Sequence, residues 1–419
     1  MVVEILNTGT ELLLGKVLNT HQQWLCRRLA DLGCPVSRQV AVPDTGKEIE
    51  LAVREALGRA DWIITTGGLG PTSDDLTRDL VAGLAGRKLV EHAETREQIR
   101  AYFAGRKLPM PERVLVQAFV PEGAVIFANA RGTAPGLAME FNPNPFRAGG
   151  SGCWLVMLPG PTRELRPMFE EQVVPWMKRT LPSEGPFAQR TLRTAGIGES
   201  AVEELVAGPL AAAVAGGIEL GYCARPGQVD VRVAARGENA ERMVEDAENI
   251  VRLHLGRRIF GVEDEDLETV VVRMLTEQKK TLALAESCTG GWVANRITNV
   301  AGASAVFLGG VVSYSNKAKQ AMLGVSAQSL ELHGAVSEPV AREMAEGARR
   351  RFGADYALGV TGIAGPSGGT PEKPAGTVFI AAASPRGTEA WKMFNPLDRL
   401  SFKELTSLQA LNLLRRMLE

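Results

Sequence analysis

The run Ala285-Glu286-Ser287-Cys288-Thr289-Gly290-Gly291 brings a carboxylate, a hydroxyl, a thiol and two glycines together in one short stretch. Thr281 to Ala285 reads as a buried strand. Trp292, Val293, Ile297 and Val300 recur at helical spacing with Asn295 and Arg296 off that stripe. The intervening turn therefore exposes amide N–H groups at a helix N-terminus, which suits an anion or a developing oxyanion. The same residues also make an ordinary helix start, with Ser287 or Thr289 as N-cap and the glycines easing a tight turn. Taken alone, this stretch leaves both readings open.

A second run, Thr65-Thr66-Gly67-Gly68-Leu69-Gly70-Pro71-Thr72-Ser73-Asp74-Asp75-Leu76-Thr77, leaves an apolar strand and enters a helix. Gly67, Gly68 and Gly70 let backbone approach a ligand, and Thr72 or Ser73 can cap a helix whose N-terminus faces phosphate. Asp74 and Asp75 in a first helical turn complement the macrodipole, and they are equally suited to holding a hard divalent cation that bridges a pyrophosphate. Asp44, Asp74 and Asp75 are the candidate metal ligands. Other strand ends point to the same crevice: Thr8-Gly9-Thr10-Glu11, Asp44, the run Asn129 to Gly136, and Pro159 to Glu164. Asn129 and Arg131 are candidates for ribose or phosphate contact, although a turn rich in Gly and Pro needs no function to exist.

These runs need strands and helices to position them. With 419 residues the chain should hold two or three domains. Residues 1–180 alternate apolar strands (Val2–Leu6, Val36–Val42, Trp62–Thr65, Val125–Phe127, Leu137–Phe141, Trp154–Leu158) with helical stretches, the pattern of a doubly wound, mainly parallel sheet. A helix over 162–179 precedes Leu181 to Pro186, which reads as a linker. Residues 188–257 read as a small βαββα module. It resembles KH-type nucleic-acid-binding modules, but its outer helix carries Glu238, Glu241, Glu245, Asp246 and Glu248, which repel phosphate, so a spacer or dimerisation role is favoured over RNA binding. The acidic patch Glu263 to Asp266 caps or precedes a helix over 267–278, and a second α/β domain fills 262–419.

The 47 basic and 48 acidic side chains leave a formal net charge of −1, so nothing in the bulk charge points to nucleic acid or an anionic membrane. No apolar run approaches the roughly 20 residues needed to span a bilayer, and no signal-peptide pattern precedes the first strand, so a cytoplasmic protein is expected. The five cysteines are odd in number and lack paired metal-ligand spacing, which fits reduced thiols, and four histidines make a His-based zinc site a poor expectation.

Gly9 to Gly15 with Asn19-Thr20, the run 65–77, Asn129-Ala130-Arg131-Gly132-Thr133-Ala134-Pro135-Gly136 and Leu158-Pro159-Gly160-Pro161 together resemble the N-terminal domain of the CinA family of competence/damage-inducible proteins, which is similar to molybdopterin-binding domains. The resemblance implies a metal-dependent ADP-ribose pyrophosphatase. Ser73, Thr162 and His21 stand where the motif varies and are not carried over. Val312-Ser313-Tyr314-Ser315-Asn316-Lys317-Ala318-Lys319, Gly334-Ala335-Val336-Ser337, Val360 to Thr370 and Lys373-Pro374-Ala375-Gly376-Thr377 match the CinA C-terminal domain, which also resembles free-standing nicotinamide mononucleotide amidohydrolases. That implies hydrolysis of the nicotinamide carboxamide to nicotinate mononucleotide and ammonia, with a homodimer as the favoured assembly.

Amide hydrolysis needs a nucleophile, a proton acceptor that later serves the leaving amine, and donors for the oxyanion. The motifs contain no histidine, so a Ser-Lys pair is the economical arrangement. Ser287 is expected as nucleophile, Lys319 as base, Tyr314 as a proton-transfer partner, and the amides around Thr289, Gly290 and Gly291 as oxyanion donors. Depressing a lysine to roughly 7–8 costs about 3–5 kcal/mol, and a helix N-terminus supplies under about 2, so Lys319 must also be desolvated or lie near a cation such as Lys317. Cys288 is the rival nucleophile. Glu286 is expected to orient Lys319 or bind substrate, Asn316 to contact substrate, and Thr361, Gly362 and Gly365 to belong to a loop that cradles the mononucleotide phosphate. The other reading is a binding or scaffold protein of DNA uptake and repair with a vestigial pterin-type pocket.

Overall fold

The structure, a computed structural model, describes residues 1–180 and 185–419, so most of the expected linker falls outside the described residues. The chain divides into compact units at 1–184 and 185–419. Among the described residues no helix is long and apolar enough to cross a membrane.

The first unit runs β1 (Val3–Thr8), α1 (Thr10–Leu13), α2 (Thr20–Asp31), β2 (Val36–Val42), α3 (Gly46–Leu57), β3 (Trp62–Thr66), α4 (Thr77–Leu84), β4 (Leu89–Glu91), α5 (Ala93–Gly105), a 3-10 segment Glu112–Ala118, β5 (Phe119–Pro121), β6 (Val125–Phe127), β7 (Gly136–Phe141), β8 (Cys153–Leu158), α6 (Thr162–Met168) and α7 (Val174–Thr180). Its main sheet has the order β2-β1-β3-β8-β7-β6, with β2, β1, β3 and β8 parallel and β7 and β6 antiparallel. Because helices cover both faces, β1 is buried at every position. Its Glu4 is accommodated by an ion pair with Arg59 at 2.6 Å. The short antiparallel pair β4 and β5, with only three residues each, carries no alternation from which sequence could read it. The helix expected over 162–179 is broken by a π turn at Phe169–Val173, which lies between Pro167 and Pro175, neither of which has an amide to donate.

The carboxyl ends of β1, β3 and β8 lie side by side, so the loops that follow them open onto one crevice, as open α/β sheets do. Residues 67–76 form a loop, and α4 starts only at Thr77, so Asp74 and Asp75 precede the helix instead of occupying its first turn. The loop is closed by the Thr77 amide donating to Gly68 O at 3.1 Å, and by the Thr72 amide donating to the Asp75 carboxylate at 2.9 Å. Gly68 has φ 69°, and a Cβ there would lie 2.0 Å from Thr77 Oγ1, so glycine is required.

The second unit begins with β9 (Phe187–Ala195), α8 (Glu199–Ala215), β10 (Glu219–Arg225), β11 (Gln228–Arg236), α9 (Ala240–Leu255) and β12 (Ile259–Val262). Its antiparallel sheet has the order β10-β11-β9-β12. The βαββα pattern thus gains a final strand beyond residue 257, which pairs with β9. The basic side chains of the sheet are taken up by acidic neighbours: Arg190 by Glu248 and Glu263, Arg193 by Asp230 and Asp266, Arg232 by Glu219. Asp266 therefore binds Arg193 and makes no side-chain cap to the next helix.

The remainder runs α10 (Leu267–Glu277), β13 (Leu282–Glu286), α11 (Trp292–Thr298), β14 (Phe307–Val312), α12 (Asn316–Leu323), α13 (Ala327–His333), α14 (Glu338–Phe352), β15 (Tyr356–Gly362), β16 (Thr377–Ser384), β17 (Gly387–Phe394) and α15 (Arg399–Leu418). The sheet order is β14-β13-β15-β16-β17, parallel across the first three strands and antiparallel thereafter. α15 joins this domain to the preceding module. Its Arg415, 2% exposed, donates to the carbonyls of Arg257 (2.7 Å) and Ile259 (3.5 Å), and the β10–β11 turn at Gly227 packs on its Leu405 and Leu408.

Candidate active sites

At the end of the parallel strands the sheet pairing continues for one residue more. Ser287 N donates to Val360 O at 2.9 Å and Ser313 N to Glu286 O at 2.8 Å, which sets Ser287 and Ser313 abreast. Ser315 then caps α12 by accepting from Ala318 N at 3.1 Å, so Lys319 falls on the first turn and reaches back under the strand ends. Its Nζ lies 2.9 Å from Ser287 Oγ and donates to Ser313 O at 2.7 Å. Lys319 is 1% exposed and has no carboxylate partner among the described residues, so desolvation holds its pKa below the usual lysine value. Burial supplies the shift; Lys317 is exposed and plays no part in it.

Cys288 also lines the pocket above Ser287 and Lys319 but is packed into the apolar cluster behind the turn, and burial pushes its thiol up to about 12. At neutral pH it is a protonated packing residue. Glu286 does not orient Lys319. Its carboxylate accepts from the amides of Gly291 (2.9 Å), Val293 (3.1 Å) and Ala294 (2.8 Å) and so caps α11, because a buried helix start must satisfy its donors. This also corrects the expected oxyanion donors. The Gly291 amide is taken by Glu286 and the Gly290 amide by Ser287 O at 3.1 Å, which leaves those of Cys288 and Thr289. The glycines still matter as backbone, at φ 61° and 92°. Tyr314 is 63% exposed, and its hydroxyl accepts from Arg399 at 2.8 Å.

A pocket of about 300 Å³ opens above the Ser287–Lys319 pair, lined among others by Tyr314, Asn316, Thr361, Gly362, Gly365, Ser367 and Arg399. Thr361 Oγ1 donates to Ala335 O at 2.8 Å, and the base of the 362–376 loop is pinned by Ile363 N to Thr377 O at 2.8 Å and Gly376 N to Ile363 O at 2.7 Å. Among the described residues the amides of Ala364, Gly365, Ser367, Gly368 and Gly369 have no protein acceptor, so the loop presents a concave set of donors. Arg399, which sequence reasoning missed, donates to Gly365 O at 3.0 Å and to Tyr314, and so places a guanidinium at the same rim. It follows no motif and starts a helix distant in the chain, so only the tertiary fold brings it here.

In the first unit a cleft of about 420 Å³ is lined by Gly9, Glu11, Asp44, Gly67, Gly68, Gly70, Asp74, Asp75, Gln117, Thr133, Pro159, Gly160 and Glu164, among others. Thr72 lies outside it on an adjoining depression, where its amide and hydroxyl are bound by Asp75. Asn129 and Arg131 are also not at the cleft. Asn129 is buried and staples its own turn, donating to Ala134 O (2.8 Å) and Glu164 (2.9 Å) and accepting from Arg131 N (3.0 Å), while exposed Arg131 faces Glu171 at 3.8 Å. Glu164, Gln117 and Thr133 are the lining residues that sequence reasoning did not single out as contacts.

Among the described residues the cleft is lined by five carboxylates (Glu11, Asp44, Asp74, Asp75 and Glu164) and by no lysine or arginine, so a polyphosphate needs a cation to enter. Asp44 accepts from the Thr10 amide at 2.8 Å, Asp75 is engaged by Thr72, and Asp74 is fully exposed with its carboxyl held below the usual range by the Thr72 side chain. Among the described residues no group of three or more His, Cys, Asp or Glu forms a metal cage. The residues fit a hard ion shared with substrate oxygens, and magnesium-like ions are bound in that way through one or two carboxylates.

Residues 4–179 match the family described as probable molybdopterin binding domain, residues 189–261 the damage-inducible protein CinA KH domain and residues 264–418 the CinA C-terminal domain. A CinA-like protein of Akkermansia muciniphila is 45% identical over 98% of this chain and 95% of its own length. A putative competence-damage inducible protein of Caldicellulosiruptor bescii is 42% identical over 99% of both. Among solved structures, the competence/damage inducible protein CihA from Agrobacterium tumefaciens is 39% identical, covering 36% of this chain and 94% of that one, with a TM-score of 0.36. The chain, matched along almost its whole length by such relatives, belongs to the CinA family.

Proposed function

We propose that the chain is a hydrolase with two sites, and that the last domain deamidates nicotinamide mononucleotide. The observation that carries this is the desolvated Lys319 amine 2.9 Å from Ser287 Oγ beside a pocket that Arg399 and the 362–369 loop also line. Neutral Lys319 accepts the Ser287 proton as Oγ attacks the carboxamide carbon. The Cys288 and Thr289 amides stabilise the oxyanion. Lys319 then gives the proton to the leaving nitrogen, ammonia departs, and water attacks the acyl-serine by the reverse route, releasing nicotinate mononucleotide. Arg399 and the 364–369 amides hold the phosphate, which fixes the carboxamide over Ser287. Purified protein is given nicotinamide mononucleotide and ammonia is measured; full activity in Ser287→Ala or Lys319→Ala would sink the assignment.

For the first domain we propose hydrolysis of ADP-ribose at the pyrophosphate, water and ADP-ribose yielding AMP and ribose 5-phosphate. The support is the cation-free acidic cleft at the ends of β1, β3 and β8. A divalent ion bound with the substrate would neutralise phosphate charge. This chain's residues contribute Asp44, Asp74 and Asp75 as ion-holding carboxylates and the 67–70 glycines as a close backbone surface. AMP release should stop when the ion is chelated while ammonia release continues; AMP release that is indifferent to chelation and to Asp74→Ala plus Asp75→Ala would refute it.

A further inference from the structure

Gln117 lines the first-domain cleft yet is 2% exposed, and it arrives from the 3-10 segment Glu112–Ala118, outside the strand-end loops. Its Nε2 donates to Leu69 O at 3.1 Å. A carbonyl can only accept, so this bond fixes the amide's orientation and leaves Oε1 as the other end. Oε1 is buried and has no donor among the described residues. An unmet buried acceptor costs about 1–3 kcal/mol, and native folds rarely leave one unless something else supplies the donor. Of the polar side chains lining the cleft, Gln117 carries the one neutral amide; the others are hydroxyls and carboxylates. The cleft lining also includes the apolar residues Leu69, Pro71 and Ala134 and the Pro159–Pro161 turn.

We infer that Gln117 reads the base of the bound nucleotide, its Oε1 accepting from the exocyclic 6-amino group of adenine. The inference rests on the reading of this cleft as a nucleotide pyrophosphatase site and names its specificity. A hypoxanthine presents a 6-oxo group at that position, so two acceptors would face each other and the base would be rejected. The carboxylates of the same cleft would hold an ion on the pyrophosphate, so base and phosphate would be recognised by different chemistry.

The test is equilibrium binding of AMP and IMP to the full chain in magnesium, with hydrolysis of ADP-ribose and its inosine analogue alongside. AMP should bind about tenfold or more tighter than IMP, and Gln117→Met should bring the two within about threefold by weakening AMP alone. The ligand swap needs no variant, so a misfolded Gln117→Met leaves the test intact. Equal binding of AMP and IMP by the parent, or an unchanged preference in a folded Gln117→Met, overturns the inference even if hydrolysis proceeds. Failure to bind or hydrolyse any of the four removes the pyrophosphatase reading and the inference with it.

Discussion

Ser287 and Cys288 are adjacent in sequence and opposite in environment. Ser287 Oγ meets the lysine amine, while the Cys288 thiol is packed into the apolar cluster and is pushed up to about 12. Cys288→Ala should therefore keep deamidation within a few-fold of the parent, whereas Ser287→Ala should lose at least about 10³-fold, both read as ammonia release. Lys319 adds a pH signature. Its pKa is lowered by burial, so below that value the fold must carry a buried charge, and the unfolded chain binds more protons than the folded one up to the usual lysine range near 10.5. Stability lost to Lys319 is thus regained as pH rises through this window. Melting curves should show Lys319→Met more stable than the parent at low pH, with the gap narrowing as pH increases, and the rising limb of the rate profile should lie below that of an ordinary lysine. A gap independent of pH would exclude a titrating Lys319.

The strand-turn-helix around 281–298 was legible because apolar runs and helical spacing depend on neighbours in sequence. The capping of α11 was not, since Glu286 could be assigned to Lys319, to substrate or to backbone until its carboxylate was seen to accept three amides. Glu286→Ala should cost about 1–3 kcal/mol in denaturant unfolding, as expected when buried helix donors lose a charged acceptor. α15 illustrates the opposite difficulty. Its helical character is local, but Arg399 at its start acquires meaning only from Gly365 and Tyr314. On the proposed deamidation, Arg399→Ala should raise KM for nicotinamide mononucleotide by about tenfold or more, with a smaller effect on kcat, because it would remove a phosphate contact remote from the carboxamide.

Across the second unit the small sheet module and the last domain are joined by buried arginines. Arg193, 2% exposed, donates to Glu265 O at 2.6 Å and Asp266 at 2.8 Å and faces Asp230 at 3.4 Å. Asp266 is exposed and Asp230 keeps its pairing with Arg225, so what Arg193→Ala removes is chiefly the hydrogen bond to Glu265 O, and it should destabilise the second unit by about 1–3 kcal/mol in chemical denaturation of the full chain. The same contacts decide between the two roles open to the acidic patch at 263–266: it precedes α10 and does not cap it through a side chain, because Glu263 and Asp266 pair with Arg190 and Arg193 of β9.

By itself the sequence determined the alternation of strands and helices and the places where strands end in glycine and hydroxyl residues, since these are set by spacing along the chain. Only the tertiary structure decided which neighbours those residues meet. It gave Lys319 its dry site, directed Glu286 to a helix end, kept Asn129 and Arg131 away from the cleft, and brought in Gln117 and Arg399. Burial and donor pairing are settled by elements far apart in sequence, so no local pattern records them.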